Sequence, residues 1–224
     1  MPILQVENLT PSVAAAAPPG PRTVWAPVSF SLAAGEQVAL VGAPGAGKTR
    51  LARAMTLIDP PAHGRVWFDG ADVTRAWGGR LRALRRGLQY VGGDARRSLS
   101  PRLSIEQVLA EPLQVHHLGS VAQLRAQVAA AAEAWQLHPL LLGARANALS
   151  SALCQRVTLA RASLLQPRVL VCDELPERLE PAAVRPLLVL AARLCRAAGL
   201  AWVWTTRDAA LARELADRVI ELHP

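Results

Sequence analysis

Residues 38–49 read Val-Ala-Leu-Val-Gly-Ala-Pro-Gly-Ala-Gly-Lys-Thr, and this stretch constrains the fold more than any other. An apolar run, a glycine-rich turn and a Lys-Thr pair, in that order, predict a buried strand, a tight loop and the opening of a helix. Glycines at 42, 45 and 47 let backbone N–H groups curl round phosphate oxygens, where side chains would obstruct them, and the helix N-terminus adds the positive end of its dipole. In such a loop Lys48 reaches the β- and γ-phosphates and Thr49 offers a hydroxyl to Mg²⁺. A chance glycine turn before a helix is the plain alternative; the complete eight-residue pattern in a strand–loop–helix setting argues against it. Of 25 basic side chains only Lys48 is lysine, so the one compact ammonium stands where phosphate chemistry calls for a point charge.

With 224 residues, 51% of them hydrophobic, the chain can bury a full core as one domain, with room for an inserted subdomain. No uninterrupted apolar run is long enough to span a bilayer, and the N-terminus lacks the basic and apolar regions of a signal peptide. The expectation is a chain that is cytosolic or attached to something that spans. Cys154, Cys172 and Cys195 are odd in number and lack paired metal spacing, so they read as buried free thiols, with no zinc site. The net charge of +8 fits nucleic acid, an anionic membrane surface or a merely arginine-rich set of helix faces. The last two are favoured: aromatics are 4% of the chain, and no basic run is interleaved with stacking residues.

In chain order, Ile3–Val6 alternates like an edge strand and the Ala/Pro-rich stretch from Pro11 to Pro21 reads as a loop. Val28–Leu32 alternates again. The helix from Lys48 carries Leu51, Met55 and Ile58 on one face until Asp59-Pro60-Pro61 stops it, and Arg65–Phe68 reads as a short strand. Residues 77–86 are basic and helical in pattern, followed by a buried strand Leu88–Val91 and a Gly92-Gly93-Asp94 loop. Ser104 with Gln107, and Ser120 with Gln123, fit capping boxes that start two helices reaching Trp135. This helical block is either a separate inserted subdomain or a part of the main core. A helix from about Leu153 to Leu165 follows, with Leu153, Val157 and Leu164 on its apolar face. Then Val169–Cys172 runs into Asp173-Glu174, as a buried parallel strand presenting carboxylates at its C-terminal edge should. Acids often merely solvate strand ends. About 125 residues after a phosphate loop they read instead as a Mg²⁺ ligand through water, Asp173, and the group that polarises an attacking water, Glu174. A helix to about Ala198, a Gly199 cap, a strand Ala201–Thr205 and a helix to about Ala216 complete the chain.

The order and spacing of these motifs resemble the nucleotide-binding subunit of an ABC transporter over essentially the whole chain. The likeness is greatest to the oligopeptide, dipeptide and nickel importers, through Ser98-Leu99-Ser100-Pro101-Arg102 followed by Val108-Leu109-Ala110-Glu111-Pro112-Leu113. The resemblance implies an α/β P-loop ATPase with an antiparallel β subdomain and an inserted helical subdomain over about residues 95–150. It implies ATP and Mg²⁺ as cofactors, with nucleotide contacts from Gly42, Ala43, Pro44, Gly45, Ala46, Gly47, Lys48, Thr49 and Arg50, and with Thr49 and Asp173 on the metal. It also implies membrane permease subunits and a second ATP-binding subunit as partners, no nucleic acid, and a peripheral place at the cytoplasmic face of the plasma membrane.

Walker A (42–49) and Walker B (169–174) are intact, but other motifs depart from the family. Gly93 stands where the lid loop carries a sensing glutamine, and Leu149-Ser150-Ser151-Ala152-Leu153 replaces the Leu-Ser-Gly-Gly-Gln signature. Ser150 keeps a hydroxyl that would face a partner's ATP, whereas Ser151 and Ala152 place Cβ atoms where backbone must approach closely. Glu177-Arg178-Leu179-Glu180 replaces the Ser-Ala-Leu-Asp dimer loop. Arg207 takes the place of the switch histidine, either as a cation for the γ-phosphate or as a solvated side chain paired with Asp208. Histidines 63, 116, 117, 138 and 223 read as surface or satisfied residues, and the adenine-stacking aromatic aligns with Val13 unless Trp25 substitutes. Three functions follow: an ATP-hydrolysing motor half docked on a permease, a degenerate half that binds ATP and turns it over slowly, or a P-loop kinase or DNA-handling ATPase. The third needs an acceptor or stacking site that the sequence does not display.

Overall fold

The computed structural model describes residues 1–12 and 26–223. The chain begins with three strands, Leu4–Pro11 (β1), Val28–Leu32 (β2) and Gln37–Val41 (β3), and the helix Lys48–Met55 (α1). Strands Pro61–Phe68 (β4) and Ala71–Asp72 (β5) lead to the helix Gly78–Gly87 (α2) and the strand Leu88–Val91 (β6). Three helices follow, Ala95–Ser98 (α3), Ile105–Val115 (α4) and Val121–Ala134 (α5), then 3₁₀ turns at Pro139–Gly143 and Ala146–Ala148 and the helix Ser151–Ser163 (α6). The last part runs Val169–Cys172 (β7), a 3₁₀ turn Pro176–Arg178, Pro181–Ala197 (α7), Ala201–Thr206 (β8), Ala209–Leu215 (α8) and Arg218–Glu221 (β9).

Two sheets result. Strands β6-β7-β8-β3-β9 form a parallel sheet, and β2-β1-β4-β5 an antiparallel one. Strand β3 is buried at every position, as are β7 and β8, which is why they read as continuous apolar runs. The period-2 alternation of these strands divides two cores. Val38, Leu40, Val169, Val171, Ala201 and Val203 face one cluster, shared with α1 and the antiparallel sheet. Ala39, Val41, Leu170, Cys172, Trp202 and Trp204 face the other, shared with α4, α5, α6 and α7. Trp202 and Trp204 stack with ring centroids 5.9 Å apart. The helical block thus joins one continuous apolar cluster with a face of the parallel sheet.

Both capping boxes form. Ser104 N–H donates to Gln107 Oε1 at 2.9 Å and Gln107 N–H returns to Ser104 Oγ at 3.3 Å; Ser120 and Gln123 repeat the exchange at 2.8 and 3.5 Å. Several expectations are corrected. Strand β1 is not an edge, because β2 and β4 pair with its two sides. Helix α1 ends at Met55, well before the prolines: Thr56 Oγ1 donates back to Ala52 O at 2.7 Å and Leu57 turns left-handed at φ 59°, which leaves Ile58 outside the helix. Helix α6 starts at Ser151, because Ser150 caps it, rather than at Leu153. Strand β9 was not foreseen; Arg-Val-Ile-Glu is short and its half-exposed edge position leaves little hydrophobic pattern. The loop assigned to Pro11–Pro21 lies outside the described residues apart from Pro11, which ends β1, and Ser12. Val13 and Trp25 lie outside them entirely.

Candidate functional site

The turn between β3 and α1 is built from its glycines. Gly45 and Gly47 have φ of 86° and 84°, a region other residues enter at a cost, and Gly47 is the cap of α1. At Gly42 the constraint is space: a Cβ there would stand 2.9 Å from both Ala46 Cβ and Leu222 O. The loop closes round Lys48, whose Nζ donates to Gly42 O at 2.6 Å and Ala43 O at 3.1 Å. Lys48 is 4% exposed and forms no ion pair among the described residues. Burial lowers its proton affinity below the usual lysine range, against the opposing charges of Glu174, Glu177 and Asp173 and with the help of Arg207. A buried ammonium held only by neutral carbonyls, with acids at longer range, is a site for an anion. Thr49, half-buried beside it, makes no side-chain hydrogen bond among the described residues. Arg50 donates to Ser12 O at 2.8 Å and so ties the start of α1 to the end of β1.

Asp173 follows β7 and is 5% exposed. Both its carboxylate oxygens accept hydroxyls, Oδ1 from Thr205 at 2.8 Å and Oδ2 from Tyr90 at 3.1 Å. Burial, and then the charge of Asp173, push the Tyr90 phenol far above its ordinary range, so it stays a donor. Thr205 Oγ1 also accepts from Glu174 N–H at 2.7 Å, which fixes Glu174 in a left-handed conformation at φ 49° that its side chain does not favour. Lys48 and the two acids are therefore gathered at the C-terminal ends of β3 and β7, with β8 between them supplying Thr205. Sequence reasoning missed Thr205 and Tyr90. Only their places at the ends of neighbouring strands pair them with Asp173, 32 and 83 residues away.

Arg207, on the loop after β8, is exposed and forms no ion pair with Asp208, whose carboxylate instead caps α8 through Leu211 N–H at 2.9 Å. The Arg207 backbone N–H donates to Glu177 Oε1 at 2.8 Å, while Glu177 Oε2 is buried without a partner among the described residues. Glu177 is a further site residue: the sequence shows it only as part of the segment that replaces the dimer loop, and nothing in its spacing marks the bond to Arg207. Gly93 packs tightly on the acids, since a Cβ there would stand 2.9 Å from Asp173 O and 3.1 Å from Glu174 O. Its carbonyl accepts from the buried Gln155 Nε2 at 2.7 Å, which joins the β6 loop to α6. Ser150 is exposed at the N-cap of α6 and accepts from Leu153 N–H at 3.3 Å; no bond links it to the Lys48 loop. Of the histidines, 63, 117, 138 and 223 are exposed and 116 is half-buried.

This geometry has known counterparts. A family model described as ABC transporter matches residues 25–176. A di/tripeptide transport ATP-binding protein, DppF of Pseudomonas aeruginosa, is 36% identical over 203 residues, 88% of this chain and 61% of that protein. An oligopeptide transport ATP-binding protein, OppF of Haemophilus influenzae, is 30% identical over 198 residues, 88% of this chain and 59% of its own length. The chain thus spans about three fifths of the curated relatives it matches. Among solved structures, cbiO1 of Clostridium perfringens, part of the ABC transporter complex cbiONQ, superposes with a TM-score of 0.85 at 23% identity, covering 99% of this chain and 84% of that one. That likeness speaks for the fold, and the family match adds the rest: with its glycine loop, its acid-tipped β7 and its paired parallel and antiparallel sheets, the chain belongs to the ABC transporter family.

Proposed function

We propose that this chain is the ATP-binding subunit of a peptide-type ABC importer, working at the cytoplasmic face of the membrane on permease subunits that span it. The observation that carries the proposal is Lys48, buried in a glycine cradle with no carboxylate partner among the described residues while Asp173 and Glu174 stand nearby. The relatives' names supply the peptide cargo. Among the described residues no helix is long and apolar enough to cross a membrane, so attachment runs through a surface.

The residues present fit MgATP. Gly42, Gly45 and Gly47 keep the loop free of Cβ atoms at those positions, so that phosphate oxygens can approach its backbone, and Lys48 supplies the point charge. Thr49 and Asp173 would hold Mg²⁺, which neutralises charge on the phosphates; no cluster of three His, Cys, Asp or Glu exists among the described residues, and this metal needs none. Glu174 orients and polarises the attacking water, with Thr205 fixing its backbone. Arg207 lies close enough to weaken Lys48's hold on its proton and so adds positive charge to the same region. Ser150 would face ATP bound to a second ATP-binding subunit, with residues 95–150 acting as the helical subdomain that presents it.

A second reading is favoured by Gly93, Ser151 and Ala152: a degenerate half that binds ATP but turns it over slowly. Losing one positioned donor typically costs about 10²–10³ in rate, and several losses in one site do not simply multiply. Steady-state phosphate release from MgATP decides. Turnover by the purified chain that Glu174→Gln abolishes marks the motor; nucleotide binding with no turnover above background, alone or with a permease, marks the degenerate half.

A further inference from the structure

We infer that α2 and the turn before it form a face that lies against anionic phospholipid headgroups. The inference rests on the reading that the chain works beside a bilayer, and adds which surface touches the lipid.

The first observation is where the charge sits. Between Asp72 and Asp94 there is no acid, but there are five arginines, at 75, 80, 82, 85 and 86. Residues 73–102 hold eight arginines and one acid, a net +7 out of the chain's +8, so the other residues are close to neutral. The charge is a local feature and not a general richness in arginine.

The second observation is how α2 sits on the fold. It buries no residue; Leu81 and Leu84 rest half-buried on the antiparallel-sheet core, and all five arginines are exposed. At 100° per residue, Gly79, Ala83 and Arg86 point away from that core, flanked by Arg80 and Arg82. Seven arginines elsewhere among the described residues are ion-paired, including Arg53 with Asp59, Arg168 with Asp69, Arg196 with Asp217 and Arg218 with Glu36. None of the five on this face forms an ion pair among the described residues. Two make single bonds to backbone, Arg80 to Asp72 O at 3.1 Å and Arg85 to Leu57 O at 3.4 Å. At the start of α2 the face continues into a polar cleft lined by Arg65, Thr74, Arg75 and Arg80. Its one acid, Asp72, is held by Thr74, whose N–H and Oγ1 donate to Oδ1 at 2.9 and 2.6 Å.

The third observation is Trp77, the cap of α2, which is 84% exposed. An exposed indole beside arginines is the combination found at the headgroup level of membranes, where the ring seats among the lipids and the guanidinium groups meet phosphate. The α2 face is of one sign, with a central strip of small residues between its arginines, an arrangement that suits a plane of anionic headgroups. Single-stranded nucleic acid is held on a series of stacking aromatics, and Trp77 is the one exposed aromatic on this face among the described residues.

The test uses the full chain in co-sedimentation with vesicles of phosphatidylcholine alone, or with phosphatidylglycerol added at about 30 mol%. The wild type should bind the anionic vesicles at least ~10-fold better, with the difference vanishing at high salt. The triple variant Arg80→Glu, Arg82→Glu, Arg86→Glu should lose about 10²-fold, and Trp77→Ala a smaller part, with MgATP binding unchanged in both as evidence of folding. Equal binding to both vesicle types, or a triple variant that binds like the wild type, overturns the inference. So does a wild type that ignores vesicles while the triple variant fails to copurify with permease in detergent, since the face would then dock an acidic protein segment. Copurification and MgATP binding report on the transporter reading separately, and either reading can fail alone.

Discussion

The backbone N–H of Arg207 donates to Glu177 Oε1 at 2.8 Å, so the loop after β8 hangs on a carboxylate from the loop after β7. In the proposed nucleotide site those loops would flank the γ-phosphate, with Glu174 on one and Arg207 on the other. Glu177 is thus a positioning residue, and hydrogen bonds to charged acceptors contribute about 1.5–3 kcal/mol. Glu177→Ala should speed exchange of the Arg207 amide by about 10- to 100-fold, while Glu177→Gln, which keeps an acceptor, should retain most of the protection. Amide exchange by NMR checks this; an unchanged Arg207 amide in Glu177→Ala contradicts it.

The resemblance in sequence implies a glutamine at the place of Gly93, and here the backbone packs tightly against the acids instead. A Cβ there would meet Asp173 O at 2.9 Å and Glu174 O at 3.1 Å, with the loop drawn in by Gln155. Restoring the side chain by Gly93→Gln should therefore destabilise the chain by about 1–3 kcal/mol, as overpacking does, and should not raise turnover. Chemical denaturation and phosphate release measure the two effects. A variant as stable as wild type and faster in hydrolysis would contradict the closed loop.

How legible this site was depends on the range of its contacts. The Lys48 loop and the Ser104–Gln107 and Ser120–Gln123 boxes are specified within a few residues, and each appears where the sequence places it. Strand β7 announces its burial on both faces by an unbroken apolar run. Tyr90, Thr205 and Glu177 carry no such mark, because what makes them matter is a neighbour 83, 32 or 30 residues away, chosen by strand order. The same holds for β1, whose inner place depends on β2 and β4 closing on both its sides, and for β9, which pairs with β3 at the edge of the parallel sheet.

The thiols give a pH prediction. Burial pushes Cys172 up to about 12, and raises Cys195 and Cys154 as well. At pH 8 the Cys172 thiolate fraction is about 10⁻⁴, so a disulfide reagent should find none of the three in the native chain and all three after denaturation. Cys172 ionises later in the folded chain than in the unfolded one. Its contribution to stability is therefore complete below about pH 9 and is lost between about 9 and 12, at about 1.4 kcal/mol per pH unit. Lys48, lowered in the folded state, works in the opposite sense, so the comparison must be with a variant. Wild type should lose stability more steeply above pH 9 than Cys172→Ala, and equal slopes would contradict the buried thiol.

The central claim is that the cradle round Lys48 binds the phosphates of MgATP, and calorimetric titration tests it most directly. Among the described residues Lys48 is buried with only Gly42 O and Ala43 O as hydrogen-bond partners, so a phosphate should be the charge it lacks. The wild-type chain should show saturable heat with MgATP at up to millimolar nucleotide, and Lys48→Ala should weaken binding by about 10- to 100-fold. No binding by the wild type in that range, or equal binding by Lys48→Ala, would contradict the account.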